Sequence, residues 1–267
     1  MNQSVRFFVI VISLTLFACS DSDDGSTPET PEPKGDYFPL SVNNYWTYDV
    51  EANEPGIDSL YISKDSTINN LSYAKFEARD PDYGYFTRVL NTNFVRTEDD
   101  KAYLYGELKG IIPYVEESSI MLDNVVLYDM EMEIGDVMYE SEGTTSGEYD
   151  GNTIEMEYKV TTVLENIYSS YTVNNVAYAD VMQSRMTLTA KAAVVTIVNG
   201  VPVTLPVMTE QEIADVSLFF APEVGMIRSD ADISWELVNT ELVDPNLSSS
   251  YSETSSQTLI GYMVAPD

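Results

Sequence analysis

Apolar and polar residues alternate along several stretches of the chain with the two-residue period of half-buried β-strands. From Ile154 to Val160, the charged residues Glu155, Glu157 and Lys159 fall on one face and the apolar residues on the other. Residues 128–134 show the same alternation. Their apolar face would consist of Tyr128, Met130, Met132 and Ile134, and their polar face of Asp129, Glu131 and Glu133. Both stretches predict strands with one dry and one acidic face.

Short apolar and aromatic runs recur between residues 37 and 108, separated by turn residues such as Asp80–Gly84 and Asn91–Asn93. The runs are rich in Tyr, Phe, Val and Thr, which favour strands, whereas Asn, Asp, Pro and Gly favour the turns between them. This punctuation predicts an antiparallel meander. Its strands would include Tyr73–Arg79, Tyr85–Leu90, Phe94–Glu98 and Ala102–Leu108.

The segment Ala192–Thr209 carries no charged residue and has Asn199–Gly200 at its centre. Asn-Gly between β-branched runs is the strongest short-range hairpin signal, and Pro202 and Pro206 argue against a transmembrane helix. We expect a central buried hairpin. The alternatives are the wall of an apolar ligand cavity and a tip that touches a membrane.

The C-terminal part is less regular. Thr209–Phe220 begins with a possible helix-capping box but has β-rich surroundings, so helix and strand both stay open. Residues 245–257 are polar and predict a loop, and Leu259–Val264 predicts a last strand. Taken together, residues 37–267 are expected to form one mainly β domain, a strongly curved antiparallel meander sheet or open barrel with few or no helices beyond the N-terminal signal.

The N-terminus has the pattern of a secretory signal. Arg6 precedes an apolar run from Phe7 to Phe17, and Ala18 lies directly before Cys19, the only cysteine of the chain. This pattern resembles the bacterial lipoprotein signal peptide and its lipobox, which implies cleavage after residue 18 and acylation, such as palmitate, at Cys19. A membrane-spanning helix or a buried strand is the alternative, but the run is shorter than the roughly 20 apolar residues that span a bilayer.

Residues 19–36 form an acidic, proline-rich tether after the lipidation site. Ser20, Asp21, Asp23 and Asp24 resemble the export signal that sends Bacteroidota-type lipoproteins to the outer face of the outer membrane. The alternative is an ordinary solvated linker, because acidic low-complexity segments are common without any signalling role. We expect a protein of the cell envelope, anchored by lipid in the outer membrane and facing the cell surface.

Several short motifs in order resemble a group of largely uncharacterised Bacteroidota-type lipoproteins. The motifs are Phe38–Leu40, Tyr45–Tyr48, Asp65–Asn70, Asn175–Val181 and Ala221–Ile227. Asn43 and Glu223 stand where that group usually has glycine. More distantly, the meander resembles the half-barrel of the lipoprotein-carrier (LolA/LolB-like) superfamily, whose concave face holds acyl chains. That resemblance is at the level of fold and implies little about function.

Composition narrows the chemistry. The formal net charge is −31, with 13 Lys and Arg against 44 Asp and Glu, which argues against nucleic acid as a partner because phosphate binding requires clustered cations. The chain has no histidine, which removes the usual general base, the usual zinc ligand and every histidine-based nucleophile arrangement. A single cysteine allows no intramolecular disulfide.

The remaining candidate groups favour structural roles. Glu131 and Glu133 have the spacing of paired catalytic carboxylates, but they alternate with buried residues and should face water. No calcium-binding loop motif occurs. The tyrosines Tyr83, Tyr85, Tyr103 and Tyr105 fit either sugar stacking or ordinary strand formation. We therefore predict no catalytic residue, no metal and no cofactor, and we assign no residue to ligand binding.

Two functions are compatible with these features. The first is a non-catalytic, lipid-anchored envelope protein that binds an apolar or amphiphilic ligand inside the curve of its sheet. The second is a surface accessory or adhesion module that contacts a glycan or a protein through exposed tyrosines. A cavity lined by the Ala192–Thr209 hairpin would favour the first, and a planar row of exposed aromatics without a cavity the second.

Replacing Cys19 by Ala tests the anchor. Without the acylated cysteine, the chain should move from the membrane fraction to the soluble fraction after a high-salt wash, because the tether offers no other apolar group. The measurement is fractionation followed by immunoblotting, with Cys19 left intact as the control. Continued sedimentation of the variant with membranes would show that the anchor lies elsewhere.

Overall fold

The structure is a computed structural model that describes residues 35–111, 118–198, 200–240 and 248–265. The predicted signal peptide and the predicted site residues Cys19, Ser20, Asp21, Asp23 and Asp24 lie outside these ranges, as does Asn199. Among the described residues, no helix has both the length and the apolar character needed to cross a bilayer. The described residues belong to one compact unit.

Strands dominate the described chain, and the single helix is short. The elements are β1 (Tyr45–Glu51), β2 (Gly56–Ile68), β3 (Leu71–Ala78), α1 (Tyr85–Leu90), β4 (Phe94–Glu98), β5 (Lys101–Lys109), β6 (Ser119–Asp129), β7 (Val137–Tyr149), β8 (Asn152–Val173), β9 (Val176–Val198), β10 (Val201–Ala221), β11 (Gly225–Glu236) and β12 (Ser250–Met263).

All twelve strands belong to one antiparallel sheet in the order β6-β5-β4-β3-β2-β1-β12-β11-β10-β9-β8-β7. Two meanders are thus joined by the ladder between the first and last strands, in which Trp46 lies opposite Tyr262. The free edges, β6 and β7, approach each other: the Thr145 hydroxyl donates to the Ser119 carbonyl at 2.8 Å, and the Tyr139 hydroxyl to the Asp123 carbonyl at 3.1 Å. The predicted strongly curved antiparallel sheet is confirmed, and it is nearly closed.

Aromatic rings fill one end of the space inside the sheet. Phe38 is fully buried and lies 5.9 Å from Trp46 on β1, 5.2 Å from Phe76 on β3 and 5.6 Å from Phe220 on β10, measured between ring centroids. The adjacent Tyr37 ring lies 5.7 Å from Tyr128 on β6. Two residues that precede the first strand therefore connect both halves of the sheet, and their burial removes large apolar surfaces from water.

The turn between β10 and β11 is bound to the segment that precedes β1. The amide of Glu223 donates to the Asp36 carbonyl at 2.7 Å, and the Trp46 indole donates to the Val224 carbonyl at 2.6 Å. The Tyr48 hydroxyl donates to the Met226 carbonyl at 2.9 Å. Two motifs of the family resemblance, at the start of the domain and at residues 221–227, are thus in direct contact although they are far apart in sequence.

The predicted strand Tyr85–Leu90 is wrong, because these residues form α1. Side chains from two strands supply acceptors for the amides at the start of the helix: Asp58 for Tyr83 and Gly84, at 2.8 and 2.9 Å, and Gln257 for Phe86, at 2.9 Å. A Cβ atom at Gly84 would lie 2.2 Å from Gln257, so glycine is required there. These long-range partners make a one-and-a-half-turn helix favourable where local propensity alone indicated a strand.

The strand predicted over 128–134 is also wrong beyond its first two residues, because β6 ends at Asp129. Asp129 does not face water: it is buried, pairs with the Lys101 ammonium at 2.9 Å and accepts the Glu131 amide at 3.0 Å. The chain turns there, and Ile134, expected on the dry face, is 46% exposed. The alternation over Ile154–Val160 is confirmed, with Met156 buried and Glu155 and Glu157 exposed.

The uncharged segment forms the hairpin predicted for it, since β9 and β10 pair antiparallel and Gly200 adopts a φ of +83° at the turn. Both strands lie inside the sheet order rather than at an edge, although Val201 at the tip is exposed. Thr209–Phe220, left open between helix and strand, lies within β10. The loop expected over residues 245–257 is wrong in its second half, because β12 begins at Ser250.

Phe38→Ala tests the aromatic centre. Removing this ring should lower the free energy of unfolding by about 3–5 kcal/mol, the usual cost of truncating a buried Phe. The matched control is Tyr45→Ala on β1, whose side chain is 42% exposed and which should cost under about 1 kcal/mol. Both values come from urea denaturation of residues 31–267. Equal losses for the two variants would contradict a central role for Phe38.

Candidate ligand cleft

A cleft of about 350 Å³ opens on the inner side of the sheet, at the end opposite the Phe38 cluster. Its walls come from α1, from the end of β5 and from β9 to β12. The apolar and aromatic lining consists of Tyr85, Leu108, Ile111, Leu188, Ile213, Ala214, Ile233, Trp235 and Tyr251. A concave, mostly apolar site of this size lies within the range that small-molecule ligands occupy.

Strand alternation places the main wall of the cleft. On β12, Gln257, Ser255, Glu253 and Tyr251 occupy every second position, and burial declines from Gln257 towards Tyr251 as the strand approaches the mouth. On β11, Trp235 lies directly opposite Tyr251 in the register. Their rings are 5.7 Å apart and nearly parallel, with an interplanar angle of 16°. The pair presents an extended flat surface beside the apolar side chains of β9 and β10.

One ion pair lies at the rim. The Arg88 guanidinium donates to Glu253 Oε1 at 2.8 Å and to the Tyr83 carbonyl at 2.7 Å, which ties α1 to β12. The Tyr251 hydroxyl donates to the other carboxylate oxygen of Glu253 at 2.6 Å. Both oxygens of this carboxylate therefore have donors inside the cleft.

These contacts shift the pKa values of the polar groups. Burial acts to raise the pKa of Glu253, but the hydrogen bonds from Tyr251 and Arg88 outweigh it and the pKa is lowered. Burial, together with the hydrogen bond to Glu253, raises the pKa of Tyr251 to about 12. Burial likewise raises the pKa of Tyr85 to about 12. At neutral pH the cleft thus contains an ionised, already hydrogen-bonded carboxylate and two neutral phenols.

Two other grooves carry more charged side chains than the cleft. One, of about 520 Å³, is lined by Glu51, Asp215, Asp230 and Asp232, of which Asp215 pairs with Arg185 and Asp230 with Arg228. The other, of about 690 Å³, is formed partly by the Ala192–Thr209 hairpin. Its charged lining residues are Glu155, Glu157, Lys191 and Glu210. The hairpin contributes apolar residues to this groove, among them Ala192, Pro206 and Met208, so its lining mixes apolar, hydroxyl and charged side chains. The cleft uses other residues of the same two strands, Leu188, Ile213 and Ala214.

The residues singled out from the sequence are scattered. Glu131 and Glu133 lie after β6, with Glu131 3.4 Å from Lys101, and lie apart from the cleft. Of the four tyrosines, Tyr85 lines the cleft, the Tyr103 ring lies 3.8 Å from the Arg96 guanidinium, and Tyr105 packs against Tyr73. Among the described residues, no group of three or more Asp, Glu, His or Cys side chains could hold a metal ion.

Sequence reasoning missed Arg88, Trp235, Tyr251 and Glu253. Three of them lie in segments whose structure was predicted wrongly: Arg88 in the helix taken for a strand, and Tyr251 and Glu253 in the strand taken for a loop. The alternation of Tyr251, Glu253, Ser255 and Gln257 with Ser and Thr was the available signal. The signal was weak because the residues on both faces of this strand are polar or partly polar, so the apolar–polar contrast is small.

Comparisons with known proteins give little. No family model matches the chain, and no curated protein matches it. A solved structure from Parabacteroides distasonis, of a protein proposed to be a lipoprotein, aligns with 85% of this chain and 98% of its own at 12% identity and a TM-score of 0.41. A likeness this low supports no argument about fold or function, and the resemblance to Bacteroidota-type lipoproteins stays a prediction.

Glu253→Gln tests the ion pair at the rim. Because the folded-state pKa of Glu253 is lowered, its stabilisation is present above the ordinary value of 4.5 and is lost as the pH falls through the folded-state pKa. The variant should be less stable than the native chain by about 0.2–1 kcal/mol at pH 7, as for other half-exposed pairs. The difference should shrink as the pH falls below 4.5 and through the folded-state pKa of Glu253.

Thermal denaturation between pH 3 and pH 7 measures this difference. The control is Glu54→Gln, which removes an exposed carboxylate between β1 and β2. A stability difference for Glu253→Gln that stays constant over the whole range would show that the carboxylate's charge is not what matters.

Proposed function

We propose that the protein is a non-catalytic lipoprotein of the cell envelope that binds an apolar or amphiphilic small molecule in the cleft of its curved sheet. The acylated Cys19 would hold it in the outer membrane, with the acidic residues after it directing it to the cell surface. The observation that carries the binding proposal is the stacked pair Trp235 and Tyr251 beside apolar side chains on the inner face of the sheet.

The filling of the sheet limits what can bind. Phe38, Trp46, Phe76 and Phe220 occupy the interior at the end where the N-terminal segment enters, and all four are fully buried. The cleft of about 350 Å³ at the other end lies near the lower limit of small-molecule sites. It suits one ring system or part of a single acyl chain, and it is too small for a whole two-chain lipid.

The cleft also lies far from Asp36, near the start of the described chain. On β12, Tyr251 borders the cleft, and Tyr262, eleven residues later, pairs with Trp46 next to the N-terminal segment. At the rise of a strand this separation is roughly 35 Å. The tether joins the domain at the end occupied by Asp36 and Glu223. A ligand would therefore enter from the end of the domain that is remote from the point of attachment.

The chemistry of the described carboxylates favours binding over catalysis. Glu253 is ionised and holds Arg88 and Tyr251, and the buried Asp58 accepts the amides that precede α1. Each acts as an acceptor for a structural donor, and neither faces a second carboxylate in the cleft lining. A general acid needs the opposite setting, an apolar site that raises its pKa.

An adhesion module is the second candidate, and one surface feature favours it. Met263, Tyr45 and Tyr61 lie in direct register across β12, β1 and β2. Met263 and Tyr45 are 51% and 42% exposed, and the Tyr61 hydroxyl donates to Glu77 at 3.1 Å. A short row of this kind can stack on a glycan or pack against a protein. This row and the cleft are different surfaces, so a variant in one of them should affect only the function assigned to that surface.

Trp235→Ala distinguishes them. The apolar fluorophore N-phenyl-1-naphthylamine should bind residues 31–267 with one-to-one stoichiometry, and the variant should bind at least tenfold more weakly because the flat wall of the cleft is lost. Tyr45→Ala is the matched control and should leave the affinity unchanged. If Tyr45→Ala weakened binding and Trp235→Ala did not, the outer row would be the binding surface.

A further inference from the structure

The balance of charge in the cleft differs from that of the other described grooves. Among the described residues, Arg88 and Lys109 line it together with one carboxylate, Glu253. The groove bounded by Glu51 is lined by four carboxylates and no cation, and the groove at the uncharged hairpin by three carboxylates and Lys191. In a chain with 13 cations and 44 carboxylates, a site where cations outnumber carboxylates is unusual.

The carboxylate in the cleft is already used. Glu253 binds Arg88 through one oxygen and Tyr251 through the other, so a cationic ligand would have to displace one of these donors. Displacement would deprive the Arg88 guanidinium of its charged acceptor, or the Tyr251 hydroxyl of its hydrogen-bond acceptor, which is costly. The cleft therefore disfavours positively charged head groups.

The cations Lys109 and Arg88, in contrast, have N–H donors that a ligand could use. Lys109 is 71% exposed at the mouth, and Glu107, the carboxylate with which it pairs among the described residues, is 3.7 Å away and outside the cleft lining. An ammonium has three N–H donors and reorients freely on its flexible stem. The Arg88 side chain is 37% exposed and belongs to the same lining. An anion at the mouth would meet both cations while the rest of its ligand lay against Trp235 and Ile213.

We propose, building on the proposed function, that the cleft selects a single-chain amphiphile with an anionic head group. The apolar chain lies along Trp235 and Ile213, and the head group, a carboxylate or a phosphate, lies at the mouth between Lys109 and Arg88. Charge-assisted hydrogen bonds to these cations distinguish the anion from a neutral analogue of the same chain length. Beyond about 8 Å at physiological salt, the negative charge of the remaining surface is screened and does not prevent this.

Matched ligands test the proposal. Binding of decanoate, decyl phosphate and decanol to residues 31–267 is followed by the fluorescence of Trp235 in a Trp46→Phe background, which leaves one tryptophan. At least one of the two anions should bind about tenfold more tightly than decanol, and their ranking identifies the head group as carboxylate or phosphate.

Lys109→Gln should lower the ratio of anion to alcohol affinity severalfold while decanol binding stays the same, and Arg88 should keep the ratio above one. Lys64→Gln, an exposed lysine on β2, is the control and should leave the ratio unchanged. Equal affinities for anions and alcohol in the native chain would overturn the anion preference and leave the apolar cleft standing. Absence of binding for all three ligands would overturn the proposed function as well.

Discussion

The burial of Phe38 at one end of the space inside the sheet is the constraint on which the architecture depends. This residue precedes every strand, yet its ring contacts β1, β3 and β10, and its neighbour Tyr37 reaches β6. Hydrogen bonds across the β1–β12 ladder join the two meanders edge to edge. The curvature that brings their inner faces together is favourable because it buries the apolar side chains between them. The same filling leaves the opposite end of the sheet open, and the cleft lies there.

Buried hydrogen bonds also stabilise the fold, at the start of α1. Asp58 on β2 and Gln257 on β12 meet at the start of α1, where they accept four backbone amides between them, and Gln257 also donates to Thr87 at 2.6 Å. A short helix inside a sheet would otherwise leave buried donors unpaired, at a cost of about 1–3 kcal/mol each. By fixing α1, these two side chains also fix Tyr85 and Arg88 on one side of the cleft. The hydrogen bonds of Asp58 and Gln257 therefore support both the fold and the proposed binding site.

The sequence allowed the overall fold to be predicted but not the site. The strand at Ile154–Val160 and the Asn-Gly hairpin could be predicted because residues close in sequence determine them. The helix at Tyr85–Leu90 and the buried Asp129 depend on partners more than 25 residues away, Gln257 and Lys101 respectively, so no local pattern could reveal them. The cleft required both β12, hidden by its Ser and Thr content, and α1. Two errors of element type were enough to conceal it.

Ligand binding in the cleft is tested most directly by native mass spectrometry. The protein is purified gently from its native cells, and bound molecules are then extracted with organic solvent. A bound amphiphile at one-to-one stoichiometry, extractable by organic solvent and absent from a Trp235→Ala chain prepared in parallel, is the result predicted for a ligand cleft. An unliganded mass in both preparations would contradict binding in the cleft and turn attention to the outer row of Tyr45, Tyr61 and Met263.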